Sequence, residues 1–301
     1  MKPIYYIDRA SQKRCEEKVF GANFITLLYG DQWISRLIGA PLAYSLARIP
    51  AFSAFYGYMQ NQPASAKKVA PFIEAFQVDA SEFANDPSEY TSFNDFFTRK
   101  LKESARPIAA AENTAIIPAD GRYYFYQNID KAEGFIVKGK KFELANLLQD
   151  EELASKYQDG SMVIARLCPT DYHRYHFPCD GAAGHTQLIN GYLHSVNPAA
   201  IKKNIEIFSE NKRTLCSIDS PQFGKVLYLE IGATCVGAIH ETYKPETFVY
   251  KGDEKGYFSF GGSSLILLFR RDSIQFDQDL IDATNAQIEI RCLMGQSMGH
   301  C

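Results

Sequence analysis

The chain has 301 residues, a formal net charge of -3 and a hydrophobic fraction of 46%. This length and composition suit a globular protein with a substantial core, built as one large domain or as one domain with an appendage. Nucleic-acid binding is excluded as a main role because it needs a concentrated basic surface. The seven cysteines are odd in number and include no Cys-x-x-Cys pair, so free thiols in a reducing compartment are expected.

Residues 18–60 are rich in aromatic and aliphatic side chains, but charged residues and two prolines interrupt them, so no transmembrane helix is predicted. Leu27, Leu37, Leu42 and Leu46 fall near a helical period, which predicts short amphipathic helices that are able to lie in a membrane interface. Packing of the same helices on the protein's own core is the alternative. The N-terminus has no apolar segment typical of a secretory signal, so the chain is expected to stay on the cytosolic side.

A second helical stretch is predicted over 64–84, and Ser92 is expected to cap a helix over Phe93–Arg99. From about residue 115 the pattern changes to short runs of β-branched and aromatic residues separated by turn residues, which indicates a mainly antiparallel sheet or barrel. The runs are 115–126, 134–138, 161–167, 225–239, 257–269 and 286–291. The predicted fold class is therefore α+β, with a helical membrane-associating region over 1–92 and a β-rich catalytic domain over 93–301.

Gly261 and Gly262 precede Ser263 at the start of an apolar run, Ser-Ser-Leu-Ile-Leu-Leu-Phe. A glycine pair frees the backbone and leaves its carbonyls open to close approach, so Ser263 could attack the peptide bond in front of it. An N-to-O acyl shift followed by elimination and hydrolysis would then leave a pyruvoyl group at the new N-terminus. A strand preceded by a flexible turn is the simpler alternative for these residues alone.

Two further motifs accompany this junction, Pro-Ala-Asp-Gly-Arg at 118–122 and Asp-Tyr-His-Arg-Tyr-His at 171–176. Segments 96–108, 195–198 and 231–239 accompany these two motifs. All of them occur in the order in which the phosphatidylserine decarboxylase family carries them, and the chain resembles that family. The resemblance covers about residues 93–270 and is loose before residue 90. The junction reads Gly-Gly-Ser-Ser where many members carry Leu-Gly-Ser-Thr, but the Gly-Ser pair is kept.

The resemblance implies that Asp120, His176 and Ser263 form a triad that cleaves the chain between Gly262 and Ser263 into residues 1–262 and 263–301. In such a triad the histidine removes the serine proton and the carboxylate orients the histidine. The resemblance also implies that His173 serves the decarboxylation step, where it returns a proton to carbon. Taken alone, Asp120-Gly121 is typical of a hairpin turn, and either histidine alone is typical of a residue with a structural role. A metal site made of both histidines with Asp171 or Asp180 is another interpretation, but the sequence nearby offers no third cluster of strong metal ligands.

The implied cofactor is a covalent pyruvoyl group derived from Ser263, which would form a Schiff base with the substrate amine and accept the electrons released with carbon dioxide. No metal and no pyridoxal phosphate are expected. Candidate contacts to the lipid headgroup are Arg166, Arg174, Ser195 and Asn197. The alternative is that the two arginines are surface residues and that Ser195 and Asn197 belong to a turn.

The expected partners are phosphatidylserine in a bilayer, the membrane surface and the protein's own two cleaved chains, with peripheral localisation on the cytoplasmic face of the cell membrane. Two other function classes stay open on the sequence. A serine hydrolase would use the triad without cleaving itself. A catalytically silent lipid-binding protein would keep the fold alone.

Overall fold

The computed structural model describes residues 3–30, 32–33, 35–130, 143–233, 238–261 and 263–301. Its helices are α1 Ala22–Tyr29, α2 Ala40–Arg48, α3 Pro50–Asn61, α4 Val69–Phe76, α5 Phe93–Phe97, α6 Leu144–Leu148, α7 Glu151–Ser155, α8 Pro198–Ile201, α9 Ile207–Glu210 and α10 Gln278–Asn285. A π-helical turn covers Ser35–Gly39, and 3-10 turns cover Pro63–Lys68, Ala80–Glu82, Pro87–Glu89 and Glu103–Ala105.

The strands up to the end of the middle third are β1 Tyr5–Asp8, β2 Lys13–Glu16, β3 Thr114–Ile116, β4 Gly121–Tyr126, β5 Ser161–Leu167, β6 Arg174–His176, β7 Gly181–Ala183 and β8 Gln187–Ile189. Those that follow are β9 Arg213–Ser220, β10 Gly224–Gly232, β11 Ile239–Glu241, β12 Thr247–Val249, β13 Glu254–Phe258, β14 Ser263–Phe269, β15 Gln275–Phe276, β16 Glu289–Cys292 and β17 Ser297–His300.

The large sheet has the strand order β12-β7-β9-β10-β14-β5-β4-β16-β1-β2, with β8 also paired to β9. Its described pairings are antiparallel except that of β1 with β16, which is parallel. Two smaller sheets have the orders β11-β13-β6 and β15-β17-β3. β14, which begins at Ser263, therefore lies in the interior of the large sheet between β10 and β5.

Both faces of the large sheet are covered, which explains the continuous apolar run of β14. Leu265 and Leu267 enter one buried cluster, whereas Ile266 and Leu268 enter another on the opposite face. Successive side chains of a strand point to opposite faces, so a strand buried on both sides must be apolar at every position. This burial holds β14 rigidly in place.

The front third of the chain forms a third buried cluster that is largely aromatic, called here the front cluster. It consists of Val69, Phe72, Phe83, Tyr90, Phe93, Phe96, Phe97 and Phe260. Phe260 is the only member of this set that comes from the β-rich part of the chain, just before β14. The front third is thus packed against the segment that precedes Ser263.

The predicted α+β class with mainly antiparallel sheets is confirmed. β5 has the predicted bounds, and Ser92 Oγ caps α5 by accepting the backbone N–H of Asp95 at 3.1 Å. The predicted run 257–269 is divided into β13 and β14. The predicted helix over 64–84 is shorter: α4 covers Val69–Phe76 and is followed by Gln77, whose φ of 54° is left-handed. The predicted strand 134–138 lies outside the described residues.

The predicted helical character of residues 1–92 needs correction. The first 92 residues are not purely helical, because β1 and β2 join the large sheet through the pairing of β1 with β16. Tyr6 lies opposite Glu289, and so long-range pairing supplies a strand that the four-residue segment does not indicate by itself. Within the described part of the chain, no helix has the length and apolar character needed to span a bilayer.

Candidate active site

Ser263 pairs with Gly232 of β10 and with Leu167 of β5, and its side chain is fully buried. Its Oγ has no hydrogen-bond partner among the described residues. An unpaired buried hydroxyl costs roughly 1–3 kcal/mol, so its presence in the centre of a sheet calls for a functional reason. Gly261 just before it has a φ of 142°, a conformation that favours glycine. Gly262, the predicted cleavage partner, lies outside the described residues.

The two histidines of the Asp-Tyr-His-Arg-Tyr-His motif are both buried, His173 just before β6 and His176 as its last residue. The Nδ1 of His173 is 3.0 Å from the carbonyl oxygen of Asp171, and that of His176 is 2.9 Å from the carbonyl oxygen of Gly252. Because a carbonyl oxygen only accepts, each Nδ1 carries the proton and each Nε2 is left as an acceptor. Nε2 of His176 lies 3.3 Å from the hydroxyl of Tyr172. Nε2 of His173 has no partner in the described structure.

Burial lowers the pKa of both histidines. The pKa of His173 falls to about 4, because the ring is completely buried and packs 3.9 Å from the ring of Phe97. The pKa of His176 is lowered by burial, against smaller opposing effects from Glu254 and Asp120. Both imidazoles are therefore neutral at neutral pH and can each accept a proton at Nε2.

Asp120 is buried and held by two groups. Arg106 donates from Nε to Oδ1 at 2.9 Å and from Nη2 to Oδ2 at 2.6 Å, and the backbone N–H of Met294 donates to Oδ1 at 2.9 Å. Arg106 also bonds both carboxylate oxygens of Glu82, each at 2.9 Å. The planar guanidinium of Arg106 therefore binds two carboxylates at once, that of Asp120 and that of Glu82 in the front third of the chain.

Asp120 and His176 lie on adjacent segments but are not bonded to each other. The backbone N–H of His176 donates to the carbonyl of Pro118 at 2.8 Å, which places β6 beside the segment that carries Asp120. Since His176 Nδ1 is bonded to Gly252, the described residues show no hydrogen-bonded Asp-His-Ser chain. Catalytic hydrogen bonds often tighten only in the reacting state, so the triad stays a prediction.

Arg166, a predicted headgroup contact, is paired inside the protein. Its guanidinium bonds Glu289 at 3.0 and 2.6 Å and Glu17 at 3.1 and 2.8 Å, and it contacts the sulfur of Cys168 at 3.0 Å. The pKa of Glu17 is lowered: burial raises it, but Arg166 and Arg122 outweigh that effect. These contacts give Arg166 a structural role, and its headgroup role stays a prediction.

We expect Arg166→Met to destabilise the fold by about 3–5 kcal/mol, because buried Glu289 would lose its cation and Glu17 would keep only Arg122, 3.5 Å away. The free energy of unfolding in urea at neutral pH measures the loss. The matched control is Arg271→Met, because Arg271 pairs with Asp159 at the surface, where such a pair contributes less than about 1 kcal/mol. A similar small change in both variants would contradict the assignment.

The other predicted headgroup contacts also have protein partners. Arg174 bonds both carboxylate oxygens of Glu254 at 2.9 Å and the carbonyl of Thr98 at 3.0 Å. Ser195 Oγ accepts the N–H of Asn197 at 3.2 Å, and Asn197 caps α8 through its side-chain oxygen. Turn and capping contacts therefore account for Ser195 and Asn197, and their binding roles stay predictions.

Sequence reasoning did not single out Arg106, although the segment 96–108 that contains it belongs to the resemblance. Nor did it identify the carbonyl of Gly252 as the partner of His176, because a backbone acceptor 76 residues away has no sequence signal. Over the described ranges, no group of three or more His, Cys, Asp or Glu side chains is arranged to hold a metal ion.

Comparison with known proteins gives one consistent family. A family model described as phosphatidylserine decarboxylase matches residues 93–300. Phosphatidylserine decarboxylase proenzyme of Chlamydia felis is 48% identical over 99% of this chain and 98% of its own length. Proteins of the same name are 45% identical in Chlamydia pneumoniae and 42% identical in Fusobacterium nucleatum, over 99% of this chain and 98% and 97% of theirs. The chain belongs to the phosphatidylserine decarboxylase family.

Proposed function

We propose that this protein is a self-processing phosphatidylserine decarboxylase that converts phosphatidylserine to phosphatidylethanolamine and carbon dioxide in phospholipid biosynthesis. The observation that carries the proposal is the buried hydroxyl of Ser263, which has no partner within the described ranges and directly follows a glycine pair, in a chain of this family. Two buried neutral histidines in the same region supply the proton acceptors that such chemistry requires.

Self-processing would begin at Ser263. His176 takes the hydroxyl proton, Oγ attacks the carbonyl carbon of Gly262, and the peptide C–N bond breaks as that proton passes to the leaving nitrogen, which leaves an ester and a free amine. Loss of the Cα proton of Ser263 then breaks the Cβ–Oγ bond, so that Oγ leaves as part of the new carboxylate end of residues 1–262. Water hydrolyses the resulting enamine through its imine tautomer, releases ammonia and leaves a pyruvoyl group. Every step is redox-neutral and needs only water.

The residues around Ser263 fit a pyruvoyl group, because the position is buried and no group among the described residues bonds the side-chain oxygen. That group would supply a carbonyl that binds the substrate amine as a Schiff base and accepts the electrons released with carbon dioxide. His173 would accept a proton from the substrate ammonium at Nε2 and return it to the carbon that lost carbon dioxide. Its neutral state suits this order of events.

Release of carbon dioxide from phosphatidylserine vesicles tests the function. Purified protein is expected to release carbon dioxide and form phosphatidylethanolamine, and reduction with cyanoborohydride during turnover should attach the lipid to residues 263–301. Release of fatty acid without carbon dioxide would indicate a hydrolase. A protein that binds the vesicles but gives neither product nor adduct would be a silent lipid-binding protein.

The front helices carry apolar side chains that the protein does not cover. One side of these helices is buried at Leu28, Ala43 and Ala47. The exposed set is Trp33, Leu37, Ile38, Tyr44, Ile49, Phe55, Tyr58 and Met59. A patch of this kind, in an enzyme whose substrate lies in a bilayer, supports the proposal that these helices dock in the membrane interface. The proposed location is peripheral, on the cytoplasmic face of the cell membrane.

We expect Trp33→Glu combined with Leu37→Glu to weaken vesicle binding about a hundredfold or more. Trp33 and Leu37 are 71% and 67% exposed, so the charges should be tolerated by the fold. Each apolar side chain inserted in the interface contributes about 1.5–3 kcal/mol. Sedimentation with phosphatidylserine vesicles measures binding, and self-cleavage should proceed normally.

The matched control is Phe248→Glu with Tyr250→Glu, because these aromatics are 53% and 63% exposed on the β-rich part of the chain. This doublet should bind vesicles as the unmodified protein does. Unchanged binding by the Trp33 and Leu37 doublet, or equal loss in both doublets, would contradict docking through the front helices.

A further inference from the structure

The segment just before the predicted cleavage point is anchored by the front third of the chain. Phe260 is 4% exposed, although it lies only three positions before Ser263. Its ring centroid lies 4.9 Å from that of Phe97, 5.2 Å from Phe93 and 5.8 Å from Tyr56. Aromatic pairs at such distances add stabilisation beyond that of burial, so this ring is firmly held.

The backbone at Phe260 is held as well. Its N–H donates to Oδ1 of Asn94 at 2.7 Å, and Nδ2 of Asn94 donates to Oδ1 of Asn61 at 2.9 Å. Asn94 belongs to α5 and Asn61 is the last residue of α3. One asparagine side chain therefore connects the cleavage segment to two helices of the front third.

The anchored segment is followed by two glycines and then by the rigid strand β14. The distance from Ser263 Oγ to the carbonyl carbon before it is set by rotation about the N–Cα and Cα–Cβ bonds of Ser263. Two glycines let the upstream chain take many positions, and the N–Cα rotation of Ser263 varies with them. Fixing Phe260 on one side and Ser263 on the other leaves only two residues to span a set distance. Far fewer conformations satisfy that restraint.

We propose that Asn94 and Phe260 are positioning residues for self-cleavage: they hold the chain upstream of the glycine pair so that the carbonyl before Ser263 stays within reach of Oγ. This proposal rests on the proposed self-processing of the chain. It makes α3 and α5 of the front third part of the maturation machinery. The same helix α3 that supplies Tyr56 and Asn61 also exposes apolar side chains to solvent.

The rate of self-cleavage of newly made proenzyme tests the proposal. Each variant is synthesised by cell-free translation, and the fraction of cleaved chain is followed over time on denaturing gels and by mass spectrometry. Asn94→Ala, which loses the acceptor for the Phe260 N–H, should cleave about tenfold more slowly or worse. Phe260→Leu, which loses the aromatic contacts but keeps an apolar side chain, should slow cleavage in the same direction.

The rescue variant is Asn94→Asp. It keeps an oxygen that accepts the Phe260 N–H and loses only the donor to Asn61, and a carboxylate is favourable in the first turn of α5. It should therefore cleave at a rate close to that of the unmodified chain. A residue that merely stabilised the front third would not be rescued in this selective way.

The matched control is Gln127→Ala. Gln127 Oε1 accepts the N–H of Phe276, another buried phenylalanine, at 2.9 Å, and Nε2 donates to the carbonyl of Ile274 at 2.6 Å. This variant loses the same kind of hydrogen bond to a backbone N–H, but at Phe276, beyond the far end of β14 from the cleavage point. It should cleave normally even where urea unfolding shows a stability loss like that of Asn94→Ala.

Cleavage of Asn94→Ala at the rate of the unmodified chain would overturn the proposal. Equal slowing in Gln127→Ala, or failure of Asn94→Asp to restore the rate, would also overturn it, because the effect would then follow general stability. A failure of the unmodified chain to cleave at all would instead refute the proposed self-processing, which keeps the two failures distinguishable.

Discussion

Ser263→Ala is expected to remain a single chain of 301 residues and to release no carbon dioxide from phosphatidylserine. Without the hydroxyl there is no nucleophile to attack the preceding carbonyl, and without cleavage no pyruvoyl group can form. The loss should therefore be complete in both self-cleavage and decarboxylation. Mass spectrometry under denaturing conditions and the carbon dioxide assay measure the two effects.

The adjacent serine provides a matched control. Ser264 is equally buried, but its Oγ donates to the carbonyl of Ala165 and is therefore occupied. Ser264→Ala removes the same atom one position along β14 and should still give two chains. Cleavage of Ser263→Ala, or a block in Ser264→Ala comparable to that in Ser263→Ala, would place the nucleophile elsewhere.

The second large effect separates the two histidines. His176→Ala should accumulate uncleaved proenzyme, with self-cleavage slowed by about 10²–10⁴-fold, the usual contribution of a general base. His173→Ala should still give the two chains but decarboxylate by a similar factor more slowly. Gel analysis of cleavage over time, and turnover measured per mature chain, give the two rates independently.

The structure makes this test necessary because each histidine presents an Nε2 acceptor in a buried setting. His176 Nε2 lies beside the Tyr172 hydroxyl, whereas His173 Nε2 and Ser263 Oγ are both unpartnered among the described residues. Equal loss of self-cleavage in both variants would refute the division of labour. Normal cleavage in His176→Ala with a block in His173→Ala would reverse it.

The strands and helix caps that depend mainly on neighbouring residues could be predicted from the sequence. The apolar run of β14 follows from burial on both faces, and the cap of α5 follows from the hydroxyl of Ser92. The strand β1 was missed because only its pairing with β16, across almost the whole chain, makes it a strand. Long-range pairing of this kind has no signature in a four-residue segment.

The same distinction applies to the site. Ser263, His173 and His176 could be predicted as site residues because they lie in short motifs that resemble those of the family, and their roles stay predictions. The partners that hold them were missed: Arg106 is 14 residues from Asp120 along the chain, and Asn94 is 166 residues from Phe260. Which arginine is bound by which carboxylates is decided only when the fold brings them together. Arg166 illustrates this, because its sequence position suggested a ligand and its contacts are internal.

The masses of the chains in freshly purified unmodified protein, measured under denaturing conditions, test the central claim most directly. Two chains are expected. The first is residues 1–262 with an ordinary carboxylate end, and the second is residues 263–301, whose mass should be lower by one ammonia than that of the same chain starting with serine. The second chain should resist N-terminal sequencing, because a pyruvoyl group has no amine. A single uncleaved chain in a preparation that decarboxylates phosphatidylserine would contradict the account, as would a second chain that starts with unmodified serine.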